Sequence, residues 1–180
     1  MGKRLVRAPI GTKLAAGSRV TREVASHGNA VAGLPYDAER GCALTVRLLR
    51  APVLLATGQD WLEEACAGMI DDGEAAHTSM GREAREELGL ECGAVEAIGT
   101  VWSIPGVSTE RVSLFLIPYR LAQRVGPGGG LVSEHEGITV VERSLRSLLA
   151  DADAGNITDG KLLTLVLALR RRHAHVFEPR

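Results

Sequence analysis

Residues 68–90, GMIDDGEAAHTSMGREAREELGL, hold two arginines, Arg82 and Arg85, and four glutamates at spacings that concentrate negative charge. Glu83 and Glu87 are four residues apart and Glu86 is three beyond Glu83, so on a helix the three carboxylates share one surface. Exposed like charges placed this way repel by roughly 0.2–0.5 kcal/mol per pair. A hard divalent cation with oxygen ligands reverses that sign, and Mg²⁺ or Mn²⁺ acting on phosphate oxygens is the chemistry such a set serves. Gly68 lets the loop backbone approach the same ion. Arg82 and Glu74 are spaced to pair across about two helical turns and brace the loop against the helix. A solvated acidic helix is the plain alternative, but it accounts for neither Gly68, Glu74 nor Arg82.

These residues need elements to present them. Ala76, Met80, Ala84 and Leu88 recur every four positions, which predicts a helix over about 74–88 with Gly89 as its left-handed cap. On it, Glu87 is expected on the solvent side. Gly81 inside that helix costs roughly 1 kcal/mol relative to Ala, which packing or a nearby ligand would have to justify. Upstream, 21–35 reads as a strand, 37–41 as a hairpin turn, and 43–49 as a second strand limited by Pro52. Leu54–Ala56 and Trp61–Ala67 read as short strands. Strands resume at 94–102, at 111–119 and, after the glycine-rich stretch 126–130, at 138–142. Helices near 144–152 and 159–173 close the chain, and the second is apolar almost all round, which predicts burial in the core or in a subunit interface. Strands, helix, strands and helices in that order make an α/β domain over 20–180, behind a weakly patterned arm, 1–19.

The 180 residues are 45% hydrophobic and 24% charged, enough apolar material for one domain with a sizeable core. Lys and Arg number 21 against 22 Asp and Glu, a net charge of −1 that argues against nucleic acid as a partner. No apolar run approaches a bilayer span, and no apolar stretch follows the basic N-terminal residues, so neither a membrane helix nor a signal peptide is expected. Cys42, Cys66 and Cys92 are widely spaced without a C-x-x-C pair, which points away from disulfides and zinc and towards the cytoplasm. Cys66 reads as a small core residue, and Trp61 and Trp102 as packing residues.

The spacing G-x5-E-x7-R-E-x2-E-E-x-G is that of the Nudix box, and the chain resembles the Nudix hydrolase family at every fixed position, with Ala84 where a bulkier aliphatic residue is more usual. Two Gly, four Glu and one Arg at set offsets would arise by chance on the order of once in 10⁵ chains of this composition. The resemblance continues on both sides of the box. Arg22-Glu23-Val24, His27–Val31, Leu34–Asp37, Arg50-Ala51-Pro52, Pro105-Gly106 with Glu110, and Asp159-Gly160-Lys161 are similar to segments of ADP-ribose pyrophosphatases and related nucleoside-diphosphate-sugar hydrolases, the last being particularly similar to GDP-mannose pyrophosphatases.

The resemblance implies a mixed β-sheet sandwiched between α-helices. It also implies hydrolysis of the pyrophosphate bond of a nucleoside diphosphate sugar, ADP-ribose first and GDP-mannose as the alternative. Mg²⁺ or Mn²⁺ would be held by Glu83, Glu86, Glu87 and the Ala67 carbonyl, with Glu136 as an additional ligand and Arg82 supporting the set. Glu134 is the candidate general base and Glu110 the second candidate, while Gly128–Gly130 would let the loop bearing Glu134 close over substrate. Arg22, Arg47 and Arg50 are candidates for gripping the diphosphate or the sugar, since guanidinium forks match phosphate oxygens. A homodimer is the expected assembly. A non-catalytic module that binds a nucleotide on the same fold is the competing reading; it has no need of all three box glutamates.

Overall fold

A computed structural model describes residues 2–9, 19–26, 28–130 and 137–178, with side chains included from residue 23 onward. Its centre is a mixed seven-stranded sheet: β3 (Ala30–Asp37), β4 (Cys42–Leu48), β5 (Leu62–Glu64), β6 (Cys66–Met69), β7 (Glu96–Trp102), β8 (Arg111–Pro118) and β9 (Thr139–Ser144). The path runs β5-β4-β3-β8-β7, with β6 added to β3 and β9 to β4. β3 and β8 are parallel, and the other pairs are antiparallel. β3 and β4 pair only beside their turn, at Tyr36↔Ala43 and Asp37↔Cys42, and then diverge. β6 takes over the edge of β3 and β5 that of β4. The segment Leu62–Met69 fills the opening, and its residues Glu64, Ala67 and Gly68 line the cleft described below.

Both faces of the sheet are covered, because successive strand residues point to opposite sides. Met80, Ala84 and Leu88 of α2 (Ala76–Leu88) pack on Val31, Leu44, Val46, Phe115 and Ile117. On the other face, Leu145 and Leu148 of α3 (Leu145–Asp153) join Leu162, Leu165, Val166 and Leu169 of α4 (Gly160–Arg172) over Ala32, Leu34, Leu114 and Leu116. Burying each such leucine is worth about 1.5–3 kcal/mol. The expected sandwich of a mixed sheet between helices is therefore the architecture found. Among the described residues no helix is long and apolar enough to cross a membrane.

Several elements depart from expectation for identifiable reasons. The single strand expected over 21–35 is two, β2 (Arg19–Ser26) and β3, and β2 pairs antiparallel with β1 (Gly2–Pro9), within the expected arm. That hairpin is tied to the β7–β8 loop: Ala25 N–H donates to Val107 O at 2.8 Å and Thr109 N–H to Ala25 O at 3.0 Å. The strand expected at Leu54–Ala56 is a short helix, α1 (Ala51–Thr57). Pro52 suits a helical first turn, Gly58 caps the end in the left-handed conformation, and no residue of α1 is buried, so a buried strand has nothing to form against. The box helix starts at Ala76 and not at 74 because the Glu74 side chain turns back to accept Asp71 N–H and Arg82 donors. α4 is buried along one face only, and Leu167 is exposed. Trp61 and Trp102, expected to pack, are 42% and 56% exposed.

Candidate active site

The loop before α2 is held by one guanidinium. Arg82 Nη2 donates to Glu74 Oε2 at 3.1 Å and to the Met69 carbonyl at 2.9 Å, while Nε reaches Glu74 Oε1 at 3.4 Å. The same group turns towards the helix, where Nη1 donates to Glu83 Oε1 at 2.7 Å and Glu86 Oε2 at 3.3 Å. Arg82 thus braces the loop, as its spacing to Glu74 suggested, and also neutralises two of the crowded carboxylates. The hydrogen bond from Arg82 holds the Glu74 carboxyl below the usual range.

The strand facing this helix turn is β6. Ala67 N–H donates to Glu87 Oε2 at 3.1 Å, which joins strand to helix through a carboxylate. Glu83 and Glu87 are only 8% and 4% exposed. Glu87 is therefore not on the solvent side: β6 covers the surface that a helical projection leaves open. Gly68 is required by close approach, since a Cβ there would sit 2.0 Å from Glu83 Cδ and 2.1 Å from its Oε1. Burial, and after it the Glu87 carboxylate, push the Cys66 thiol well up, consistent with an inert core residue. A cleft of about 470 Å³ opens in front of this assembly, lined by Ala67, by Gly68, Arg82, Glu83 and Glu86 of the box, and by Glu110.

Residues 26–155 match the family model of the NUDIX domain. The chain belongs to the Nudix family. Curated relatives agree: GDP-mannose pyrophosphatase of Salmonella arizonae is 34% identical over 156 residues, covering 86% of this chain and 80% of that protein. GDP-mannose pyrophosphatase of Cronobacter sakazakii is 35% identical over 155 residues with the same coverage.

The other expected site residues divide by position. Arg50 lines the box cleft and pairs with Glu64, Nε to Oε1 at 2.6 Å. Lys161 lines it too, with Nζ 2.9 Å from Glu64 Oε2 and 2.8 Å from Asp159 Oδ1. Burial raises the Glu64 carboxyl, but Arg50 and Lys161 more than offset this and leave it below its usual value. Asp159 organises the group by capping α4, accepting Lys161 and Leu162 N–H, and by accepting Ala65 N–H at 3.2 Å. Glu64 and Lys161 were not singled out from sequence; the one signal for Lys161 was the Asp159-Gly160-Lys161 similarity. Arg47, by contrast, is away from this cleft. It pairs with Glu63 at 2.9 Å and lies 4.5 Å from the Trp61 ring centre, bordering a separate hollow with Arg143. Glu63 and Glu64 are adjacent on β5 and so face opposite ways. Arg22 is on β2 opposite Val6, and its side chain, like the whole of Glu134 and Glu136, lies outside the described residues.

The stretch Gly128–Gly130, expected to serve as a hinge, is bound to the end of the box helix: Gly129 N–H donates to Glu87 O at 2.8 Å and Gly130 N–H to Glu86 O at 3.2 Å.

The residues around the cleft fit a divalent cation in donor type. Glu83, Glu86, Glu87 and the Ala67 carbonyl are all hard oxygen donors, the cradle at Gly68 excludes any side chain, and a positive group already bridges Glu83 and Glu86. Among the described residues no group of three His, Cys, Asp or Glu side chains is gathered closely enough to hold an ion alone. Mg²⁺, which keeps several waters and is usually shared between one or two carboxylates and substrate phosphates, suits such an open set.

Proposed function

We propose that this Nudix hydrolase cleaves the pyrophosphate bond of a nucleoside diphosphate sugar, releasing a nucleoside monophosphate and a sugar phosphate. The carrying observation is that one cleft is lined both by the box carboxylates Glu83 and Glu86 with the Ala67–Gly68 backbone and by the cations Arg50 and Lys161. A diphosphate needs both: cations bound to carboxylates for some of its oxygens and side-chain cations for the rest. Glu83, Glu86, Glu87 and the Ala67 carbonyl would hold Mg²⁺ or Mn²⁺, which would supply positive charge for the phosphoryl oxygens and for activation of the attacking water. Arg50 and Lys161, pre-oriented by Glu64, bind the remaining phosphate oxygens. Arg82 keeps the loop and helix in register. Glu110 borders the cleft as a candidate to take the proton from the attacking water, alongside Glu134.

The names of the relatives favour GDP-mannose as the first substrate to test, ahead of ADP-ribose. The test is phosphate release through a coupled phosphatase from GDP-mannose, ADP-ribose, ADP-glucose and UDP-glucose, each with Mg²⁺, with Mn²⁺ and with chelator. Metal-dependent turnover led by GDP-mannose is expected. A clear lead for ADP-ribose would move the assignment to that sugar nucleotide, and silence from folded protein across the panel would favour a non-catalytic nucleotide-binding module.

A further inference from the structure

The last turn of any helix leaves carbonyls without intrahelical partners. In α2 the terminal ones belong to the box itself. Leu90 N–H and Gly89 N–H satisfy Ala84 O and Arg85 O at 3.0 Å each, the ordinary glycine cap. The next two carbonyls, of Glu86 and Glu87, accept from Gly130 and Gly129, residues 44 and 42 positions along the chain. The loop returns the contact, since Val125 N–H and Gly126 N–H donate to Gly89 O at 2.8 and 3.2 Å. The fit is backbone on backbone. Gly128 has φ +72°, and a Cβ there would lie 2.2 Å from Glu87 O and 2.7 Å from Leu88 C and Cα. None of those atoms can rotate away.

We propose that Val125–Gly130 is a positioning bracket for the box helix, with Gly128 the residue that fixes the place of its last turn. Through that turn the bracket locates the Glu86 and Glu87 carboxylates against Ala67 and Glu83. The inference rests on reading those carboxylates as cation ligands. It assigns Gly128 a role opposite to that of a hinge: it is there because nothing larger lets two backbones meet.

Gly128→Ala must part loop and helix end by about 1 Å to reach ordinary carbon–oxygen contacts of about 3.3 Å. Displacements of that size cost on the order of 10²-fold in rate. The variant is expected to bind Mn²⁺, followed by electron paramagnetic resonance of the free ion, at least tenfold more weakly than the parent, with kcat down on the order of 10²-fold and KM little changed. Gly155→Ala is the control: at φ +75° it carries the same backbone strain in open space between α3 and α4. It should lose thermal stability without losing Mn²⁺ affinity. A folded Gly128→Ala protein that binds Mn²⁺ within twofold of the parent overturns the bracket. If that variant fails to fold, the parent decides through amide exchange, which Mn²⁺ should slow at Gly129 and Gly130; exchange there indifferent to Mn²⁺ overturns the proposal. A parent that binds no Mn²⁺ refutes the cation reading as well, so the two failures are told apart.

Discussion

Replacing Gly68 by Ala should separate catalysis from stability at this site. The added Cβ would stand 2.0 Å from Glu83 Cδ, 2.1 Å from Oε1 and 2.3 Å from Oε2. Ordinary contact is about 3.5 Å, so the carboxylate must withdraw by about 1.2–1.5 Å. The atoms it meets are the end of a side chain, and they can swing aside without moving α2. In doing so they leave Arg82 Nη1, 2.7 Å from Oε1. The lost contact is partly exposed at Arg82, and its stability cost is on the order of 1 kcal/mol. The catalytic cost is larger: a ligand misplaced by about 1 Å lowers turnover on the order of 10²-fold, about 2.7 kcal/mol of barrier. Steady-state turnover of the nucleotide sugar, Mn²⁺ titration and urea unfolding on the same preparation read all three quantities. A Gly68→Ala protein with parental turnover and Mn²⁺ affinity would show that Glu83 need not stand where it does, and the site assignment would fall.

Other changes follow from the same geometry. Gly81 lies within α2 with nothing within 4 Å of its would-be Cβ, so Gly81→Ala should stabilise by about 0.5–1 kcal/mol at unchanged kcat, read from thermal and urea midpoints. Glu64→Gln leaves Arg50 and Lys161 without their shared carboxylate; a broken buried pair costs about 3–5 kcal/mol, and the exposure of Arg50 reduces the expected loss to about 2 kcal/mol. Because Glu64 titrates below its ordinary value of 4.5 in the folded protein, its stabilisation is complete above that pH and is lost as the pH falls below it. Urea midpoints between pH 6 and 3 should therefore drop less steeply for Glu64→Gln than for the parent. For the base, Glu134→Gln should slow kcat more than Glu110→Gln; the reverse ranking in pre-steady-state turnover would assign the proton transfer to the β7–β8 loop.

What could be read from sequence depended on how locally each feature is encoded. Gly68, Glu74, Arg82 and the three box glutamates fall within one continuous loop and helix, where spacing is a local matter, and Arg82 meets Glu74 as their spacing implies. Glu64 and Lys161 are 97 positions apart and meet because Asp159 caps α4 while accepting Ala65 N–H, a coincidence of fold with no local pattern. Glu87 shows the limit of a helical projection: it correctly groups Glu87 with Glu83 but is blind to β6 lying over both. The glycines at 126–130 suggested flexibility by composition, whereas Gly129 and Gly130 are hydrogen-bonded to the helix end and Gly128 packs its backbone directly on it. Leu54–Ala56 was misread because three apolar residues carry no period, and the flanking Pro52 and Gly58, which punctuate a helix, decided the outcome.

The most direct test of the central claim is which bond breaks, and whether a cation is needed. Phosphorus NMR of GDP-mannose incubated with the protein and Mg²⁺ should show the two coupled diphosphate signals replaced by those of GMP and mannose 1-phosphate, with chelator preventing the change. Release of GDP with an intact diphosphate, or the same cleavage in the presence of chelator, would contradict the account.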